Sequence, residues 1–167
     1  MSDADLSAPE LVVGAWRGYR IWRMADDRLT GWWCTGYAWV PGGSEASCSA
    51  KRWTRRGRRA RHPGLPAPQR GCRCGLYALQ KPWDFAAYLS SSLYGVTHES
   101  DVVIGVVAGW GRAFRGEYGW RTQFAKPIAL HRAPHLDGDQ VENIAHRYRC
   151  QVVEGRNDLL TIADQRA

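Results

Sequence analysis

The chain has 167 residues, enough for one hydrophobic core and too few for two ordinary domains. Hydrophobic residues make up 44%, the usual globular share, which excludes wholesale disorder. Lys and Arg number 23 against 16 Asp and Glu, a net charge of +7, but ten basic and no acidic residues lie between Ala46 and Trp83, leaving 13 basic and 16 acidic residues for the rest.

Residues 1–10 are polar and read as a flexible tail, with 11–167 as a single globular domain. Leu11 to Met24 is rich in Val, Trp, Tyr and Ile, which predicts a strand. Asp26-Asp27 signals a turn, and the aromatic run Leu29 to Val40 predicts a second strand or a pair. Pro41-Gly42-Gly43-Ser44 breaks it. Glu45 to Arg70 has no apolar periodicity and reads as a long loop, its basic part spanning 46–70. A loop of that length in a compact domain needs a reason. Structure resumes at Gly71 to Leu79. Phe85, Tyr88, Leu89 and Leu93 have helical spacing between Pro82 and Gly95, predicting a short helix. Asp101 to Trp110 is a near-continuous apolar run, hence a buried strand. Gly111 to Gly119 reads as a turn, and Gly119 to Leu130 as the returning arm of a hairpin. Val141, Ile144, Ala145 and Tyr148 predict a second helix, capped by Asp137 or Asp139. Gln151 to Glu154 reads as a short strand, and Asp158 to Ala163 is ambiguous. The expected fold is α+β and strand-dominated. By analogy alone it is compatible with a small, partly open PUA-like barrel carrying a zinc-stapled loop.

There are five cysteines: Cys34, Cys48, Cys72, Cys74 and Cys150. The N-terminal residues lack the charged start and apolar stretch of a secretory signal, and no apolar run has membrane-spanning length. The expected setting is therefore a reducing cytoplasm without membrane association, where clustered cysteines point to metal or redox chemistry rather than disulfides. Cys48, His62, Cys72 and Cys74 have the spacing C-x13-H-x9-C-x-C. Three thiolates and one imidazole are a closed tetrahedral donor set for structural zinc. Two ligands at i and i+2 require the backbone to turn, and Gly71 and Gly75 flank the pair. The alternatives are four unconnected residues, a redox dithiol at Cys72/Cys74, an iron–sulfur cluster, or Cys34 in place of His62. Cys150 reads as a small buried apolar residue.

The segment from Cys48 to Ala78, with its C…H-P…C-R-C-G-L-Y-A order, is followed at 102–130 by Gly105, Val107, Trp110, Gly111, Gly119, Arg121, Ala125 and Pro127. With the early GYRIW at 18–22, this pattern resembles a group of small actinobacterial and phage proteins that has no established activity. The resemblance implies one fold unit, a metal site and a variable loop at Lys51 to Arg61; it implies no reaction.

Lys51, Arg52, Arg55, Arg56, Arg58, Arg59 and Arg61 place seven basic residues in eleven positions around Trp53. Each Arg can fork onto phosphate oxygens, and Trp53 can stack on a base. These residues are candidates for DNA or RNA contact. The alternative is a protein-interaction or mobile-element accessory module in which the metal is purely structural. Its Arg segment then docks an acidic protein partner or is only a solvated insertion. Most of the nine Trp residues are expected in the core. The chain has no P-loop, nucleophile elbow, zinc-protease helix, calcium loop or deaminase pattern. His98, Glu99 and Asp101 read as a polar turn, and no residue is put forward as catalytic.

Overall fold

The computed structural model describes residues 10–32, 37–48, 51–54, 57–60, 62, 64–81 and 101–165. Three long strands form its frame: β1 (Glu10–Ala25), β7 (Val102–Arg115) and β8 (Gly119–His131). The shorter strands are β2 (Arg28–Gly31), β3 (Ser44–Glu45), β4 (Lys51–Thr54), β5 (Gly57–Ala60), β6 (Leu76–Leu79) and β9 (Gln151–Val153). Two helices follow, α1 (Gly138–Tyr148) and α2 (Arg156–Asp164).

β7 pairs with both β1 and β8, while β6 pairs with β8 and touches β1 through Tyr19 opposite Leu79. The path β1–β7–β8–β6–β1 therefore closes partly into a ring, as a strand-dominated, partly open barrel requires. β2 and β3 extend the antiparallel sheet from β1 and β8, and β9 adds to β8 in parallel.

Alternation along the strands sends side chains to two buried clusters. Trp22, Val103, Val107 and Leu130 pack with Val141, Ile144 and Tyr148 of α1. Tyr19, Ile21, Val106 and Ala129 pack with Leu159 and Ile162 of α2. Asp137 caps α1 by accepting from the backbone N–H groups of Asp139 (3.0 Å) and Gln140 (3.3 Å). Tyr148 then ties α1 to the sheet edge: its hydroxyl donates to the Trp39 carbonyl (2.7 Å) and accepts from the Leu29 N–H (3.1 Å). The expected pair of strands at 29–40 is seen as β2 with a returning segment, joined through Thr30 opposite Ala38.

Two expectations are corrected. The turn expected over Gly111 to Gly119 is confined to 116–118: β7 continues to Arg115, and a register shift between Trp110 and Ala113 takes up Gly111 as a bulge. The stretch read as a basic loop at 46–70 is also not all loop. Lys51–Thr54 and Gly57–Ala60 pair as an antiparallel hairpin, with Lys51 opposite Ala60 and Thr54 opposite Gly57. Backbone pairing needs no buried face, so the absence of apolar alternation did not exclude a ribbon. The helix expected at 82–94 lies outside the described residues, and Asp158 to Ala163 resolves as part of α2.

Candidate metal centre

β8 organises the site from two directions. β3 pairs with its Phe124 and Ala125, and the Ala46 N–H donates to the Gln123 carbonyl (2.7 Å), so the chain reaches Cys48 from a fixed edge. β6 pairs with its Gly119 to Thr122 segment, and Cys72 and Cys74 lie just before β6. His62 comes two residues after β5 ends. The chain between His62 and Cys72 is held by short turns, with the Leu65 N–H on the His62 carbonyl (3.3 Å) and the Cys72 N–H on the Gln69 carbonyl (3.2 Å). Gly71 (φ +68°) and Gly75 (φ +131°) both have conformations that suit glycine, which lets the C-x-C segment curl as its spacing demands.

Four residues that are distant in sequence converge here. One donor atom from each of Cys48, His62, Cys72 and Cys74 lies within 4.8 Å of the others. The Cys48 and Cys72 sulfurs are 3.7 Å apart, and His62 Nε2 is 3.1 Å from Cys74 Sγ. A tetrahedral ion with metal–sulfur bonds of about 2.3 Å holds two sulfurs about 3.8 Å apart. Cys72 and Cys74 are buried; Cys48 and His62 are half-buried.

The thiols do not titrate alike. Burial opposes ionisation of Cys72, but hydrogen bonds from the Cys74 backbone and from the His62, Cys74 and Cys48 side chains outweigh it and bring the thiol down to about 7. Burial pushes Cys74 up to about 11, and the charges of Cys72 and Cys48 add to that rise. Mutual repulsion keeps clustered sulfurs from all being thiolates unless a cation joins them. The cluster is therefore a candidate metal site by both distance and donor chemistry. Cys150, in contrast, packs against the core and burial pushes it up to about 12, as suits an inert small residue.

Arg121 on β8 was legible in the sequence only as one letter of a pattern. Its side chain is buried and lies under the C-x-C turn. Nη1 donates to the carbonyls of Cys72 and Cys74 (2.8 Å for the latter), and Nη2 donates to the Gln69 carbonyl (3.3 Å). The guanidinium also stands 4.7 Å from the Phe114 ring. One planar cation thus fixes three carbonyls of the segment that delivers two ligands, and its charge offsets that of a thiolate-rich centre. Arg121→Gln is expected to lower divalent-metal affinity by about 10- to 100-fold. Competition against a chromophoric chelator reads the change, with circular dichroism verifying that the fold persists. Unaltered affinity would remove Arg121 as a positioning residue.

Of the proposed nucleic-acid contacts, Lys51, Arg52 and Trp53 fall on β4, and Arg58 and Arg59 on β5. Arg55, Arg56 and Arg61 lie outside the described residues, as do Cys34, His98 and Glu99. Asp101 is committed to an ion pair with Arg23 (3.3 Å). Among the described Trp residues, Trp22, Trp32, Trp39 and Trp120 are buried, as expected of core aromatics. Among the described residues, no helix is long and apolar enough to cross a membrane. Comparison with family models, with curated proteins and with solved structures finds no match. Fold and site together define a strand-dominated α+β protein with a candidate Cys3His metal centre.

Proposed function

We propose that the chain is a zinc-stabilised binding module that contacts nucleic-acid phosphates through its Arg-rich segment at 51–61. The convergence of Cys48, His62, Cys72 and Cys74 carries the reading. Three soft sulfur donors with one imidazole favour zinc, and four protein ligands leave no open position for substrate, as in structural rather than catalytic centres. The positive charge supports the second half. Seven basic residues lie between two of the ligands, so the metal and the polyanion-binding segment share one stretch of chain.

Binding through about six phosphate contacts gives a slope of log affinity against log salt near −5, or about a 10³-fold loss between 50 and 200 mM salt. Replacing Arg55, Arg56, Arg58 and Arg59 together by Ala is expected to flatten that slope by about 3 to 4. Fluorescence anisotropy with a labelled oligonucleotide across a salt series measures it. Binding indifferent to the four substitutions would rule out this role for the segment.

A further inference from the structure

We propose that the β4–β5 hairpin is a ribbon that enters the major groove of duplex DNA, with the metal centre clamping its base. This rests on the reading that the segment binds nucleic-acid phosphates, and it narrows the partner to one class.

The observation is the change from loop to ribbon. A flexible basic loop follows any phosphate chain, whereas a paired ribbon has a fixed width. Its two strands stand about 4.8 Å apart. The major groove of B-form DNA is about 12 Å wide and admits a two-stranded ribbon as it stands, whereas the minor groove, at about 6 Å, must be widened to take one. In A-form RNA the major groove is too deep and narrow to enter. The partner that suits a ribbon is therefore a B-form duplex.

Charge and anchoring point the same way. Register sets Arg52 opposite Arg59 and Trp53 opposite Arg58, and the ten residues from 51 to 60 include six basic and no acidic ones. Like charges in opposed positions destabilise a hairpin, and an isolated two-stranded hairpin is marginal in water. This ribbon needs support at its base and counter-charge along its length. The base has the first: Cys48 lies three residues before Lys51, and His62 two residues after Ala60. Both belong to the cluster held against β6 and β8. Phosphates lining both rims of a groove supply the second.

The test uses the full zinc-loaded chain with three labelled probes of matched sequence: a DNA duplex, an RNA duplex and single-stranded DNA. The DNA duplex is expected to bind at least tenfold tighter than either other probe at one salt concentration. Methyl green, a major-groove ligand, is expected to compete, and netropsin, a minor-groove ligand, is not. Equal affinity for the two duplexes, preference for the single strand, or displacement by netropsin would overturn the groove assignment and leave phosphate binding standing. Failure to bind any of the three would overturn both.

Discussion

On the proposed zinc-stapled reading, chelation is expected to release residues 48–74 while the β1–β7–β8 frame stays folded. The frame has one core cluster of its own: Tyr19, Ile21, Val106 and Ala129 pack with Leu159 and Ile162 of α2 and with none of the four ligands, whereas Cys72 and Cys74 share the other cluster with Trp22. The ligand-bearing stretch has much less. Arg70, Gly71 and Arg73 are exposed, and so are Gly64, Leu65 and Pro66. Among its described residues, that stretch buries Cys72, Cys74, Ala67 and Pro68. Structural zinc binds zinc-finger peptides with about 10–16 kcal/mol of apparent free energy, all of it linked to folding. With the proposed zinc bound, the same linkage would act on one segment. Hydrogen exchange on the zinc-loaded and the chelator-treated protein reads it directly. Protection of amides in β4, β5 and 69–74 should fall by at least about a hundredfold, or about 2.8 kcal/mol, whereas β7 and β8 change little. Cys72→Ser, which removes one buried ligand, is expected to reproduce the pattern without chelator. Equal protection with and without metal would mean that the cluster holds no structural ion.

The metal set was legible because it rests on residue chemistry. Sulfur and imidazole are uncommon donors, and Gly71 and Gly75 mark where the chain can curl; the positive φ at both is the structural counterpart of that reading. The long strands were legible through their apolar content. The hairpin was not, because its pairing is a backbone property and its Arg-rich sequence carries no period-2 apolar signal. The end of β7 was hidden for the opposite reason, since glycines at 109 and 111 look like turn residues but sit in a bulged strand. α2 was ambiguous because it buries only Leu159 and Ile162, and its N-cap, Gly155, makes no side-chain cap bond. Arg121 escaped notice because nothing in a single sequence separates one buried arginine from nineteen others. Only the sheet register, with Arg121 opposite both Tyr77 and Phe114, places it beneath the ligand turn.

Trp22→Ala is expected to be among the most destabilising single substitutions in the frame. The side chain is fully buried, and its ring meets Trp39 edge-on at 5.4 Å between centroids and 88° between planes. Gly105 lies beside it on β7, where an added Cβ would come within 3.1 Å of the Trp22 ring and 2.1 Å of the Ala129 carbonyl. The strands approach closely there, so the walls have little freedom to collapse into the space left by an alanine. Large-to-small replacement of a buried Trp costs about 3–5 kcal/mol, and in a chain of this length each kcal/mol lowers Tm by about 2–4 °C. A fall of about 10 °C or more is the expected result in a thermal melt. Trp22→Phe should cost much less than Trp22→Ala. Among the described residues the indole N–H has no hydrogen-bond partner, so phenylalanine forfeits volume but no bond. Both variants should still take up one divalent ion, because β3, β6 and Arg121 hold the segments that carry the ligands, even though Cys72 and Cys74 share a core cluster with Trp22. A fall in Tm below about 3 °C for Trp22→Ala would mean that Trp22 is not packed as described. Loss of the ion with the frame still folded would mean that the Trp22 face also positions the ligands.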